Sequence, residues 1–427
     1  MSQTLTPVLS VHPIRALADE KFNVLVEYLE PGCPVTIRSL HHSEDKDYWE
    51  AYGHYISDHR GSVSISEDVS TGGTYTGKQP MGLLWSMRPV PGGRTNLRLR
   101  KLNVSTPMLV NISVHSGHKG FRDQPALASV LTERWYMAPG VQRININEKG
   151  VRGTMFIPPG SGPFPGMLDL WGGGGGLLDY RAALLGSHGY VTMAVEYFKV
   201  SDAQAAEPVM SYFEKAFEML RDHPQVKSDR VGIIGLSFGS LVALSLAAES
   251  IIIKPHCIVC ISTIHTKPPG KDLSLFNPVF TSKSKEMRVD ENNSQIWKDA
   301  CLPLIEDPAM KLNVGTIDCP MLLVNGCDDQ NWPSVETAAD IEKMMCEAGK
   351  KHLLTRLDYP DTGHLIEPPF GPHFRATNFV IGRTKEKVVV LWGGHTKPHS
   401  DAQEDSWRKT LRFLHQHMYC SMNKANL

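Results

Sequence analysis

Over roughly the first 135 residues, apolar and polar positions alternate in short segments such as FNVLVEYLE, CPVTIRSLH and MLVNISVHSG, separated by clusters of Gly, Pro, Ser and Asp. Successive side chains of a strand face opposite sides, so each segment reads as a half-buried strand, and their spacing predicts an antiparallel β-sandwich. A turn-rich stretch at 70–93 carries Leu83-Leu84-Trp85-Ser86-Met87 and reads as a segment packed between two halves. From about residue 140 the period changes. PFPGMLDLWG, YVTMAVEYF and DRVGIIGLS are continuous apolar runs, and DYRAALLGSHG, VMSYFEKAFEMLRDHP and SLVALSLAAES carry helical spacing. Strands that alternate with helices predict a mainly parallel sheet covered on both faces. The expected division is a β-sandwich over 1–138 and an α/β domain over 139–427.

Within the second part, Gly235-Leu236-Ser237-Phe238-Gly239 is a G-x-S-x-G set between an apolar strand and an Ala/Leu-rich helix. That context is the nucleophile elbow, a strained strand-to-helix turn whose small flanking residues leave the Ser hydroxyl exposed. A helix-capping Ser after a buried strand is the plainer reading, and the strand–turn–helix context favours the elbow. A serine nucleophile needs a base and an orienting carboxylate, which in this architecture follow in the order Ser, Asp, His. CPMLLVNGCDDQNWP supplies Asp328 and Asp329 just past a strand, with Asp329 as the orienting carboxylate and Asp328 as a loop brace. TRLDYPDTGHLIEPP then supplies His364 on a loop behind a further strand. The predicted catalytic set is Ser237, Asp329 and His364.

Five glycines in LWGGGGGLLDYR lie between a strand and a helix ahead of the elbow. A Walker loop needs Gly-Lys-Ser/Thr, and Gly-Leu-Leu stands here. A dinucleotide fingerprint is matched trivially by any such run. The loop therefore reads as an oxyanion hole in which an N–H of Gly173, Gly174 or Gly175 complements that of Phe238. His395 and His399, in WGGHTKPHSD, read as outlying and receive no role.

The 427 residues carry 44 Lys plus Arg against 45 Asp plus Glu, so no global basic field exists to recruit nucleic acid or an anionic membrane. No run reaches the roughly 18 apolar residues of a membrane span, and a secretory signal is not expected at the N-terminus. Eight scattered cysteines fit a reducing compartment. Cys257 and Cys260 form a C-x-x-C inside the β-branched run KPHCIVCISTI, which reads as a buried strand rather than a zinc or redox site. No cofactor and no metal are expected.

The stretches GKQPMGLLWSMRP, WGGGGGLLDYRAALLGSHGY, IGLSFGSLVALSLA, NGCDDQNW, YPDTGHLIEPP and VVLWGGHTKPHSDAQEDSW together span nearly the whole chain. They resemble the family of type I acyl-CoA thioesterases and bile acid-CoA:amino acid N-acyltransferases. The resemblance implies an N-terminal immunoglobulin-like β-sandwich joined to a C-terminal α/β-hydrolase domain, an acyl-CoA substrate, and the same three residues, Ser237, Asp329 and His364. The family divides between water and glycine or taurine as acyl acceptor. Its conjugating members are associated with Cys as nucleophile, and an acyl-thioester stays activated towards amines, whereas an acyl-serine ester favours water. Ser237 thus points to a thioesterase, with the N-acyltransferase as the alternative and a catalytically silent lipid carrier as a remote third. Lys424-Ala425-Asn426-Leu427 resembles a variant of the S-K-L peroxisomal address, which predicts a peroxisomal location through an import receptor, the cytosol being the alternative.

Overall fold

The computed structural model describes residues 6–198, 209–267, 287–380 and 386–420, so the C-terminal tetrapeptide lies outside the described residues. The chain forms two compact units, Met1–Ala138 with Pro368–His373, and Pro139–Glu367 with Phe374–Leu427.

The first unit is a β-sandwich. One sheet pairs β1 (Val8–His12), β3 (Asn23–Glu27) and β6 (Val63–Ser64). The other runs β2 (Arg15–Leu17), β9 (Ala128–Trp135), β8 (Met108–Ser116), β4 (Pro34–His42), β5 (Tyr48–Ile56) and β7 (Arg88–Pro89). Alternation places Val24, Val26, Ile37, Ala51, Tyr55 and Ile112 inside. One pair departs from the antiparallel expectation: β2 lies parallel to β9. Pro13 has no N–H to extend the β1 ladder, so the chain leaves one sheet after His12 and joins the other without reversing. Leu83 and Leu84, on the short helix α1 (Gly82–Trp85), are buried in this unit, where Ser39 Oγ donates to the Leu83 carbonyl.

The second unit is built on an eight-stranded sheet: β10 (Gln142–Glu148), β11 (Val151–Ile157), β13 (Val191–Val195), β12 (Phe164–Leu170), β14 (Val226–Leu236), β15 (Ile258–Ile261), β16 (Met321–Gly326) and β17 (Leu354–Tyr359). From β13 onward every neighbour is parallel, and β10 and β11 are antiparallel additions at one edge. Every residue of β13, β15 and β16 is buried, as expected of parallel strands covered on both faces. The crossovers carry α2 (Tyr180–Ser187), α3 (Met210–Arg221), α4 (Phe238–Glu249), α5 (Lys298–Glu306) and α6 (Ser334–Glu347). Helix α3 buries one face, Tyr212, Phe213, Ala216, Phe217 and Leu220, each large side chain contributing about 1.5–3 kcal/mol. Helix α4 is apolar nearly all round and is buried from Phe238 to Ala247. A hairpin of β18 (Ala376–Val380) and β19 (Lys387–Leu391) precedes the last helix, α7 (Thr396–Met418).

Cys257 and Cys260 are buried at β15, and burial pushes both thiols well above the usual range. Among the described residues no cluster of His, Cys, Asp and Glu could hold a metal, and no helix is long and apolar enough to cross a membrane.

Candidate active site

Strand β14 runs directly into α4 through Ser237, whose backbone sits at φ 56 and ψ −123. A non-glycine residue rarely occupies that region, at a cost of about 1–3 kcal/mol. The turn is tight enough to dictate its neighbours. A Cβ built on Gly235 would lie 2.2 Å from the Gly239 carbonyl oxygen, and one built on Gly239 would lie 2.3 Å from that of Leu170. Both glycines of the G-x-S-x-G are therefore required by close backbone approach.

The parallel order brings the ends of β14, β16 and β17 to the same edge of the sheet, and Ser237, Asp329 and His364 meet there. His364 Nε2 is 2.8 Å from Ser237 Oγ, and Nδ1 is 2.7 Å from Asp329 Oδ2. A carboxylate only accepts, so Nδ1 carries the hydrogen and Nε2 is left to accept from the serine hydroxyl. His364 and Asp329 are buried, and Ser237 keeps 8% exposure.

Asp329 is held at all four lone-pair sites. The N–H groups of Asn331 and Trp332 donate to Oδ1 at 2.8 Å each, and Ser334 Oγ and His364 Nδ1 donate to Oδ2. Asp328 faces away and braces the loop, accepting from Gly394 N–H at 2.7 Å, Gln330 Nε2 at 2.7 Å and Arg375 Nη1 at 3.3 Å. The His364 ring is flanked by Trp392, stacked at 5.7 Å, and by Trp332, edge-on at 5.6 Å. The imidazole thus has aromatic neighbours on its face and its edge.

His399, to which the sequence assigned nothing, is buried on α7 and spans the loop that carries His364. Its Nδ1 accepts the Gly363 N–H at 3.1 Å, and its Nε2 donates to the Leu365 carbonyl at 2.9 Å. The helical spacing of HTKPHSDAQ could have signalled it. Helix α7 begins at Thr396, nine residues ahead of DSWRKT, the start of the amphipathic pattern, because Pro398 falls in its first turn. A missing N–H costs nothing there.

The glycine run follows β12. A Cβ built on Gly172 would lie 3.5 Å from the Ser237 Cβ and 3.8 Å from its Oγ, so the run passes beside the serine. The N–H groups of Gly173 and Gly174 have no backbone acceptor among the described residues, whereas Gly176 N–H donates to the Tyr197 carbonyl at 2.9 Å. Gly175 passes against the Phe198 carbonyl at φ 75. Beneath the loop, Arg181 and Asp169 form a buried ion pair; Arg181 Nη2 also donates to the Leu170 carbonyl at 2.9 Å, and its guanidinium lies 4.5 Å over the Trp171 ring.

A mainly parallel sheet with its third and fourth strands interchanged, a serine on the elbow after the fifth strand, and an aspartate and a histidine after the seventh and eighth define the α/β-hydrolase class. The chain belongs to the acyl-CoA thioester hydrolase/BAAT family: the family's C-terminal region matches residues 209–420 and its N-terminal region matches 19–148. The peroxisomal succinyl-coenzyme A thioesterase of Mus musculus is 35% identical over 99% of each chain. Acyl-coenzyme A thioesterase 2, mitochondrial, of Mus musculus is 34% identical over 96% of this chain and 89% of its own. Among solved structures, the α/β hydrolase MGS-M1 from a Medee basin deep-sea metagenome library aligns with a TM-score of 0.41 and 16% identity over 66% of this chain and 98% of that one.

Proposed function

We propose that the protein hydrolyses an acyl-CoA thioester to a free acid and CoA, with Ser237 as nucleophile, His364 as base and Asp329 as the carboxylate that orients it. The observation that carries this is the unbroken line Asp329–His364–Ser237, at 2.7 and 2.8 Å, on an elbow with a positive φ. Thioesterase relatives aligned over nearly the whole chain support the substrate class.

The chemistry follows from the geometry. His364 Nε2 takes the proton of Ser237 as Oγ bonds to the thioester carbonyl carbon, and Asp329 stabilises the imidazolium that results. The carbonyl oxygen becomes an oxyanion facing the N–H of Phe238 and those of Gly173 to Gly175; one such donor contributes on the order of 3 kcal/mol to the transition state. The C–S bond breaks, the CoA sulfur takes the proton from Nε2, and an acyl-serine remains. His364 then removes a proton from water, whose oxygen attacks the ester; the C–Oγ bond breaks and Ser237 regains its proton. An oxygen ester reacts less readily with an amine than a thioester would, which supports water as acceptor over glycine or taurine.

The test is CoA release from saturated, branched and bile acyl-CoAs, with and without millimolar glycine and taurine, the acyl product being identified by mass spectrometry and Ser237→Ala serving as blank. Free acid in every mixture is expected; an acyl-glycine or acyl-taurine product overturns the hydrolase reading. Covalent labelling of Ser237 by a fluorophosphonate is expected in parallel, and a silent fold would not label. We also propose a peroxisomal location, which the similarity to a peroxisomal succinyl-coenzyme A thioesterase supports. A fluorescent fusion confined to mitochondria or cytosol would refute it.

A further inference from the structure

The glycine run must keep its donors aimed without a helix or extended strand to hold it, and one residue meets both ends of the run and the ring of Phe238. Tyr197 follows β13 and is fully buried, among the largest such side chains in the chain. Its hydroxyl donates to the carbonyl of Trp171, on the peptide that enters the run. Its own carbonyl accepts the N–H of Gly176, at 2.9 Å, on the last peptide within the run. Its ring lies 5.8 Å from the ring of Phe238, the residue whose N–H is the other oxyanion donor, and 5.4 Å from Phe213 on α3. Phe198, next in the chain, closes the same cluster at 4.8 Å from Phe238 and presents its carbonyl to Gly175.

We propose that Tyr197 is the positioning residue of the oxyanion hole, its hydroxyl fixing the Trp171–Gly172 peptide, and with it the glycine run, against Phe238. A peptide is planar, so a bond to its carbonyl oxygen fixes the orientation of the whole unit, including the direction in which the chain continues into Gly173 and Gly174. Five successive glycines carry more backbone freedom than any other sequence, and a loop of them holds one shape only if both ends are tied. Tyr197 ties one end by its side chain and the other by its backbone. Arg181 assists from the far side through the Leu170 carbonyl and the Trp171 ring, yet it does not reach the exit of the run or Phe238 in any contact described above. Burial raises the Tyr197 phenol well above its ordinary range, so it stays a donor throughout the working pH range. Tyr197 does not touch the reacting atoms; it acts through the loop.

The inference rests on the hydrolase reading, and one pair of variants separates the two. Tyr197→Phe keeps the ring and deletes only the hydroxyl. Tyr212→Phe is the control: its hydroxyl, also well buried, donates to the Glu196 carbonyl at 2.6 Å but to nothing in the glycine run. The readouts are kcat and KM for acyl-CoA hydrolysis, inhibition by a trifluoromethyl ketone analogue that forms a tetrahedral oxyanion on serine, and thermal unfolding. Complete loss of an oxyanion donor costs about 10²–10³ in kcat, and misaiming one costs part of that. Tyr197→Phe is expected to lower kcat at least tenfold with KM within twofold, and to weaken the trifluoromethyl ketone by a similar factor. Tyr212→Phe is expected to keep both while losing comparable thermal stability. A Tyr197→Phe enzyme with wild-type kcat and inhibitor affinity, one that loses activity only in step with stability, or one that fails to fold overturns the assignment. If the wild-type protein itself releases no CoA and takes no fluorophosphonate, it is the hydrolase reading that has failed.

Discussion

Replacing Gly239 by alanine tests whether the elbow and the oxyanion loop are one mechanical unit. The new methyl would stand 2.3 Å from the Leu170 carbonyl oxygen, 2.5 Å from its carbon and 2.7 Å from the Trp171 carbonyl oxygen. Ordinary contact begins near 3.4 Å, so the end of β12 and the start of α4 must separate by about 1 Å (3.4 − 2.3). All three blocking atoms belong to backbone, so no side-chain rotation relieves the clash. Overpacking costs about 1–3 kcal/mol, and backbone obstruction puts this substitution at the upper end. At about 2.1 cal/mol/K per residue, a unit of this size loses roughly 1.7 °C per kcal/mol, so a fall of about 5 °C in Tm is expected. The activity should fall further than the stability. A shift of about 1 Å moves Trp171, and with it the loop that faces Ser237, by a distance that costs on the order of 100-fold in a positioned reaction. Gly371→Ala is the matched control, since a Cβ there meets nothing within 4 Å, and it should stay within about 0.5 kcal/mol of wild type. The assay is CoA release at a temperature well below either Tm, beside a thermal unfolding scan. A Gly239→Ala enzyme that is folded and within threefold of wild-type kcat would refute the mechanical coupling.

In the proposed mechanism Asp329→Asn would remove the charge that stabilises the imidazolium while leaving the shape; kcat for CoA release is expected to fall about 10³–10⁴-fold with little change in KM, and a loss under tenfold would deny Asp329 its role. His399→Leu leaves the Gly363 N–H and the Leu365 carbonyl without their partner on either side of His364, at about 1–3 kcal/mol for each buried group. Denaturant unfolding should show that loss, and kcat should fall as well; unchanged stability would mean water replaces the ring. His41 and His265 have pKa values lowered from 6.5, burial being the largest cause in each. Such groups bind a proton in the unfolded chain before they bind it in the folded one, so stability is full above about pH 6.5 and declines as pH falls below it. Urea midpoints measured between pH 7.5 and 5.5 should decrease monotonically, and a flat or rising series would refute this.

The division of what the sequence could and could not disclose follows the range of the interactions involved. The elbow is written within five residues because its constraint is local: Gly235 and Gly239 are dictated by atoms on the same turn and on the adjoining strand β12. Asp329 and His364 were legible for a related reason. Asp329 follows an apolar run that reads as a buried parallel strand, whereas His364 follows the mixed edge strand LTRLDY, of which only Leu354 is buried. Both are parallel strands, which deliver their C-terminal ends to one edge of a sheet. Order along the chain then stood in for proximity. The glycine run belongs with these, since its place after β12 and before α2 was enough to put it beside the elbow.

The supports of those same residues were illegible because each is an ordinary residue made functional by a distant one. His399 looks like any histidine near a helix start, and its meaning lies in Gly363 and Leu365, 36 and 34 residues earlier. Ser334 is a helix-opening serine whose hydroxyl turns back to Asp329. Tyr197 is one more aromatic at the end of an apolar strand, and only its bond to Trp171, 26 residues away, distinguishes it. A reacting group must have a particular chemistry, so its residue type is informative by itself. A group that aims another needs only one donor or acceptor in the right place, a requirement that many residue types meet and that geometry alone identifies. For that reason substitutions at His399, Ser334 and Tyr197 are the more searching tests of how this site is built: removing Ser237 asks whether there is a nucleophile, whereas removing the Tyr197 hydroxyl asks what makes that nucleophile effective.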